Sequence, residues 1–118
     1  MSCLFNSLSY HTKIYTSFQL RQLICDFLEE DPILIGESKF SQLIGNKSLR
    51  HYIQEMRNRN TWGSAFEIKA YCEIFTVIVL VKTIQNKFIE FLPSDNTITY
   101  PKKIKIEWNG YHYEPIRL

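Results

Sequence analysis

The sequence predicts an α+β domain in which helices come first along the chain and strands come last. Apolar residues recur at helical spacing through the first half of the chain, whereas residues 76–116 are rich in β-branched and alternating apolar residues. The 118 residues are 45% hydrophobic and 22% charged, which is typical of a globular protein. We therefore expect one domain over residues 1–118, with N-terminal helices packed on a mostly antiparallel sheet.

The first predicted helix runs from Cys3 to about Tyr10, because Leu4, Phe5 and Leu8 repeat at helical spacing. Cys3 would then lie at or near a helix N-terminus. The helix dipole favours a thiolate at that position.

Further helices are predicted before the strands begin. One covers residues 17–30, with Thr16 or Ser17 as its N-terminal cap and Asp31-Pro32 ending it. Residues 40–44 are helical or irregular, and a further helix covers residues 49–57. Ser64 and Glu67 form a capping box of the Ser-x-x-Glu kind, which predicts a helix that reaches Phe75.

The predicted strands cover residues 76–83, 87–92, 104–108 and 111–116. The last two would form a hairpin through Asn109-Gly110, a dipeptide typical of tight hairpin turns. That arrangement places His112 on a strand, with Glu114 two residues later on the same face.

Cys3 and His112 provide a thiol and an imidazole, and Glu114 adds a carboxylate, which together suit acyl-transfer chemistry. Cys3 and His112 are 112 − 3 = 109 positions apart, so only the fold can bring them together. By themselves, Cys3 would be a thiol at a loose chain end and His112 a half-buried strand histidine. The assignment of Cys3 as nucleophile and the assignment of His112 as base depend on each other.

Charge and cysteine usage exclude several classes of protein. The formal charge of +2 is too small to indicate a nucleic-acid partner, and the only basic cluster is Lys102, Lys103 and Lys105. The longest apolar run, residues 74–81, is shorter than a membrane span, and we identify no signal peptide. Three cysteines indicate reduced thiols, so we expect a cytoplasmic location, in the host cytosol if the source is viral or bacterial. We also expect a monomer.

The remaining cysteines and histidines carry no prediction of a site. Cys25 and Cys72 lie among apolar residues of predicted helices, where a thiol is usually part of the core. His11 and His51 have no partners at metal-ligand spacing. We therefore expect neither a metal nor a cofactor.

Four blocks resemble the ovarian-tumour (OTU) family of cysteine proteases, which release ubiquitin from its conjugates and share a papain-like fold. The blocks are Cys3-Leu4-Phe5-Asn6-Ser7-Leu8-Ser9, then Tyr52-Ile53-Gln54-Glu55-Met56 with Thr61-Trp62-Gly63 and Glu67-Ile68-Lys69-Ala70, then residues 77–81, and Gly110-Tyr111-His112-Tyr113-Glu114. Their order and spacing across nearly the whole chain make the resemblance stronger than any single block.

The resemblance implies roles for particular residues. Cys3 would be the nucleophile, His112 the base, and Glu114 the group that orients His112 where the family usually has Asp or Asn. The backbone amide of Cys3, with Ser2 and Met1, would hold the oxyanion. Trp62, Gly63 and Tyr111 would contact the substrate, near the groove that admits the Gly-Gly tail of ubiquitin.

The implied activity is thiol-dependent cleavage after the C-terminal glycine of ubiquitin or a ubiquitin-like modifier. The family usually carries Asp, Gly and then Asn or Asp before its nucleophile, whereas Met1 and Ser2 stand there in this sequence. We therefore expect a domain truncated just before the nucleophile. The alternatives are an inactive OTU-fold module that binds ubiquitin, a truncated pseudoenzyme, and an unrelated interaction domain with a fortuitous Cys and His.

Overall fold

The computed structural model describes residues 2–99 and 101–117. In that part of the chain five helices precede or separate six strands. The elements are α1 (Cys3–Thr12), α2 (Ser17–Glu29), β1 (Ile33–Ile35), β2 (Ser38–Lys39), α3 (Phe40–Leu43), α4 (Leu49–Met56), α5 (Ala65–Phe75), β3 (Ile78–Lys82), β4 (Phe88–Phe91), β5 (Lys103–Trp108) and β6 (Tyr113–Pro115). The predicted α+β order, with helices first and strands last, is confirmed.

The main sheet has four strands in the order β4-β3-β5-β6. β3 pairs with β4 and β5 pairs with β6 in antiparallel fashion, whereas the central pair β3 and β5 is parallel. The prediction of a mostly antiparallel sheet is therefore correct, and the parallel pair lies at its centre. The strand β6 occupies one edge, where α1 packs against it.

One hydrophobic core joins the first two helices, α5 and the sheet. α2 lies against α1, α4 and α5, and α5 packs on β3 and β4. The fully buried apolar residues include Leu4, Phe5, Leu8, Leu20, Ile24, Cys25, Leu28, Ile68, Ala70, Cys72, Val79 and Ile106. The first turn of α1 therefore belongs to the core, and its position is set by packing.

Side-chain caps fix where the longer helices begin. Thr16 and Gln19 form a capping box at the start of α2, and Ser64 and Glu67 form the predicted one at the start of α5. Thr76 ends α5 in the left-handed conformation, with φ of 52°. Because of that turn, β3 begins at Ile78, two residues after the predicted strand start.

The short hairpin of β1 and β2 was not predicted. Only Leu34 of this hairpin is buried, but Ile33, Leu34 and Ile35 are all apolar, so the sequence shows no alternation of apolar and polar residues that would mark a strand. Asp31 accepts hydrogen bonds from the backbone N–H and the hydroxyl of Ser41, which tie the hairpin to α3.

Candidate active site

Cys3 is the first residue of α1, as predicted, and its position follows from the burial of the next two residues. Leu4 and Phe5 are both in the core, while Cys3 itself is partly exposed. The backbone N–H of Cys3 has no hydrogen-bond acceptor among the described residues, as is usual for the first turn of a helix. The helix dipole favours negative charge at this point. A thiolate and a developing oxyanion are therefore both suited to it.

Gly63 lies directly against the first turn of α1. A Cβ atom on Gly63 would stand 2.5 Å from Leu4 Cδ2 and 3.1 Å from Phe5 Cε2, so this close approach depends on glycine. The Trp62 side chain is 46% exposed. The segment leading into α5 thus presents an indole at the surface while its backbone packs on the helix that begins with Cys3.

His112 lies in a turn immediately before β6, so its predicted place within a strand is wrong. Asn109 Oδ1 accepts hydrogen bonds from the backbone N–H groups of Tyr111, at 2.9 Å, and His112, at 2.8 Å. The Asn109 N–H in turn donates to the His112 carbonyl at 3.1 Å. These bonds hold the turn closed through His112, so β6 begins at Tyr113, two residues after the predicted start.

The imidazole of His112 stacks on the indole of Trp62. The two ring centroids are 5.9 Å apart and the ring planes differ by 26°. His112 is exposed, and its ring makes no hydrogen bond within residues 2–99 and 101–117. The contact with Trp62 is therefore what defines the position of the imidazole.

Tyr113 joins the turn at His112 to the strand that contacts α1. It directly follows His112 and belongs to β6, the strand against which α1 packs. Burial raises the pKa of the Tyr113 phenol. The packing of α1 on β6, the close approach of Gly63 to α1 and the Trp62–His112 stack bring Cys3, Trp62, Gly63 and His112 into one region.

The other predicted site residues have fewer contacts. Glu114 is exposed and lies opposite Glu107 in the β5–β6 pairing, and no hydrogen bond joins its carboxylate to His112 in the described residues. Tyr111 is 76% exposed at the turn. The roles assigned to these two residues stay predictions.

Ser2 does not cap α1 with its side chain. Its hydroxyl donates to the carbonyl of Arg59 at 3.1 Å and accepts from Arg21 Nη2 at 3.4 Å. Its role in the oxyanion site stays a prediction. Met1, the other residue expected to contribute there, lies outside the described residues.

Arg21 was not predicted as a functional residue, and it is 0% exposed on the core side of α2. Its guanidinium carbon stands 4.1 Å from the centre of the Phe5 ring, and its Nη atoms donate to backbone carbonyls near Trp62. The position of Arg21 relative to the apolar residues of α2 could have indicated its burial. Arg21 is three residues before Ile24 and seven before Leu28, which places a charge on the apolar stripe of the helix.

Glu67 is a second buried charge near the site, and its burial was not predicted although its capping box was. Its carboxylate accepts from the Ser64 N–H at 2.7 Å, from the Ser64 hydroxyl at 2.6 Å and from the Tyr52 hydroxyl at 2.6 Å. Burial raises the pKa of Glu67, and these hydrogen bonds act in the opposite direction. They fix Ser64, the residue directly after Gly63.

Cys25 and Cys72 belong to the core, as predicted. Both are fully buried, and burial raises the pKa of each thiol to about 12. A buried thiol that stays protonated is a poor nucleophile. Cys3 is therefore the one cysteine that is suited to nucleophilic attack.

Residues 2–99 and 101–117 contain neither a metal-binding cluster nor a membrane-spanning helix. No cluster of three or more His, Cys, Asp or Glu side chains could hold a metal ion. No described helix combines the length and the apolar character that crossing a membrane would require.

Comparison with solved structures defines the class of fold. An ovarian-tumour (OTU) domain solved in complex with ubiquitin superposes with a TM-score of 0.77 and 27% identity, covering 97% of this chain and 62% of that one. The OTU domain of OTUD1 gives a TM-score of 0.75 at 16% identity, covering 97% of this chain and 77% of that one. The chain therefore has the OTU fold, as the resemblance implied.

The chain belongs to the family described as OTU-like cysteine proteases, whose model matches residues 2–114. Among its relatives, a ubiquitin thioesterase OTU1 of Xenopus laevis is 26% identical over 121 aligned positions, which cover 98% of this chain and 38% of the relative. The protein of that name in Saccharomyces cerevisiae is 28% identical over 118 positions, which cover 99% of this chain and 36% of the relative. This chain thus spans little more than a third of the length of these relatives.

Proposed function

We propose that this chain is a cysteine deubiquitinase that hydrolyses the bond after the C-terminal glycine of ubiquitin. The observation that carries the proposal is the stacking of His112 on Trp62, next to the helix turn that begins with Cys3. The substrate is supported by the ubiquitin thioesterase relatives and by the ubiquitin-bound OTU domain of the same fold.

In the proposed reaction, the Cys3 thiolate attacks the carbonyl carbon of the terminal glycine after His112 has taken the thiol proton. The tetrahedral intermediate collapses when the bond to the leaving amine breaks, and His112 gives its proton to that amine. Water then attacks the thioester, with His112 again as the base, and this step releases the free ubiquitin carboxylate and the thiol.

The oxyanion of the intermediate is proposed to bind the backbone N–H of Cys3, which has no other acceptor among the described residues. Ser2 is proposed to contribute its backbone. Trp62 holds one face of the imidazole, and we propose that Glu114 orients it from the solvent side.

We further propose that Trp62, Gly63 and Tyr111 line the path of the ubiquitin tail. Gly63 leaves no side chain beside α1, and the exposed rings of Trp62 and Tyr111 offer apolar contacts to a narrow peptide. The cytoplasm is the proposed location, because a nucleophilic thiol must remain reduced.

Hydrolysis of ubiquitin with a fluorogenic C-terminal amide tests the proposal. We expect Cys3→Ala to abolish turnover and His112→Ala to reduce kcat by about 10³-fold or more. The matched control is His51→Ala, because His51 is also exposed and its ring pairs with Glu55 on its own helix, at 2.8 Å. It should retain wild-type turnover within about twofold.

Two different results would contradict the proposed function. Turnover that survives Cys3→Ala would remove Cys3 as the nucleophile. Folded wild-type protein that binds ubiquitin without hydrolysing it would instead indicate the inactive binding module.

A further inference from the structure

Arg21 makes an unusual set of contacts for a charged residue that is 0% exposed. Nη1 donates to the Met56 carbonyl at 2.8 Å, and Nη2 donates to the Thr61 carbonyl at 2.9 Å and to the Arg59 carbonyl at 3.3 Å. Nη2 also lies 3.4 Å from the Ser2 hydroxyl. One side chain of α2 thus reaches the end of α4, the loop after it and the N-terminal segment.

These contacts converge on two segments beside the candidate site, residues 2–5 and residues 59–62. Ser2 directly precedes Cys3, and the Phe5 ring under the guanidinium belongs to the first turn of α1. Thr61 directly precedes Trp62, whose ring stacks on His112. Ser2 also donates to the Arg59 carbonyl, so the two segments are joined both directly and through Arg21.

The burial of Arg21 is costly unless the guanidinium donors are used. Burying a charge has a large desolvation cost, and burial lowers the pKa of Arg21 from its usual value. An apolar side chain would avoid that cost but would leave the carbonyls of Met56, Arg59 and Thr61 without these donors. The guanidinium instead offers donors in a rigid plane, and the structure uses them on carbonyls at the loop beside the site.

We propose that Arg21 is a positioning residue that sets the distance between Cys3 and the Trp62–His112 stack. This inference rests on the proposed function for its catalytic consequence. Attack by a thiolate requires the reacting atoms within about 3–3.5 Å, and a misplacement of about 1 Å can cost about 100-fold in rate. A planar donor group that holds both segments keeps the thiol within that limit.

Glu67 complements Arg21 on the other side of Trp62 and Gly63. Arg21 binds the carbonyl of Thr61, the residue before them, whereas Glu67 binds the N–H of Ser64, the residue after them. The two-residue segment is thus held at both ends by buried charged groups, while its indole stays at the surface.

The first test measures ubiquitin hydrolysis by Arg21→Lys and Arg21→Gln. Lysine keeps the charge but loses the planar set of donors, so we expect kcat to fall about 100-fold while KM changes less than about threefold. The matched control is Arg57→Gln, because Arg57 joins α4 to α2 through Gln22, Asp26 and Glu29 and has no contact with Ser2 or Trp62. Its kcat should stay within about twofold of wild type. An unchanged kcat in folded Arg21→Lys would overturn the proposal.

The second test needs no ubiquitin, so it separates failure of this inference from failure of the proposed function. In a Trp108→Phe background Trp62 is the only tryptophan. We expect Arg21→Lys to increase acrylamide quenching of Trp62 and to change the rate at which iodoacetamide alkylates Cys3, at a temperature where circular dichroism shows folded protein. A role confined to stability would move neither value, and wild-type values for both would overturn the inference even if the chain proved inactive.

A third variant covers the case in which neither Arg21 variant folds. Ser2→Ala removes the hydroxyl between Arg21 and Arg59 at the partly exposed end of the network. We expect it to fold, to lower kcat about threefold and to increase Trp62 quenching. Wild-type values of both quantities in Ser2→Ala would then overturn the proposal.

Discussion

The two sides of the candidate site are built in different ways. The nucleophile side, comprising Cys3, Leu4, Phe5 and Gly63, is fixed by core packing and by contacts too close for any side chain at position 63. The base side, comprising Asn109, Tyr111, His112 and Glu114, is exposed, and its position depends on backbone bonds to Asn109 and one ring contact with Trp62.

This difference separates the expected effects of mutations. A change on the nucleophile side disturbs the core, so it should alter stability and activity together. A change on the base side breaks only surface contacts, so it should alter activity with little effect on stability.

The largest expected effect is the difference in reactivity among the three thiols. Burial raises the pKa of Cys25 and Cys72 to about 12, so at pH 8 only about 10⁻⁴ of each is thiolate, and both are also inaccessible. We expect iodoacetamide to modify Cys3 at least about 10³-fold faster than either of them. Peptide mass mapping of partly alkylated, folded protein measures this ratio. Similar rates at all three positions would show that the core around Cys25 and Cys72 is not the packed structure described above.

Gly63→Ala should lower stability and activity together. The added Cβ would overlap Leu4 and Phe5, so we expect the free energy of unfolding to fall by about 1–3 kcal/mol, together with a loss of turnover. Urea denaturation and the fluorogenic assay measure the two effects.

Gly45→Ala is the matched control for that experiment. Gly45 has φ of 70° and no atom within 4 Å of an added Cβ, so alanine there introduces backbone strain of about 1–2 kcal/mol without a steric clash. It should lower stability and preserve kcat. Equal losses of kcat in the two variants would contradict a specific packing role for Gly63.

Asn109→Ala should separate activity from stability on the base side. The backbone N–H groups of Tyr111 and His112 would lose their acceptor but could bond to water, so we expect a stability loss of about 1 kcal/mol or less. The freed turn should lower kcat/KM about tenfold. Asn109→Asp retains the acceptor oxygen and should restore most of the activity, whereas equal losses in both variants would exclude the acceptor as the cause.

Glu114→Gln should have the smallest effect. The carboxylate is exposed and makes no hydrogen bond to His112 in the described residues, so its contribution is weakened by water. We expect kcat to fall about tenfold or less in the fluorogenic assay. A fall of about 10³-fold would show that Glu114 rotates onto His112 during the reaction and dominates its orientation.

The sequence was sufficient to predict the parts of the fold that depend on local patterns. The apolar spacing of Leu4, Phe5 and Leu8 placed Cys3 at a helix start, and the Ser64–Glu67 capping box placed the start of α5. Both signals are local, since a helix cap and an amphipathic stripe involve neighbouring residues.

The features that the sequence did not predict depend on contacts between distant segments. The stacking of Trp62 on His112 joins residues 112 − 62 = 50 positions apart, and Arg21 binds carbonyls that are 35 to 40 positions away. The turn at His112 differs from the predicted tight hairpin because the Asn109 side chain accepts from backbone N–H groups two and three residues further on, as in an Asx-turn.

The most direct test of the central claim is reaction of the folded chain with ubiquitin bearing a C-terminal propargylamide, followed by intact-mass and peptide mapping. If Cys3 and His112 form one active site, the wild-type chain will form a single adduct at Cys3, Cys3→Ala will form none, and His112→Ala will react far more slowly. Absence of the adduct from folded wild-type protein, or its attachment at a residue other than Cys3, would contradict the account.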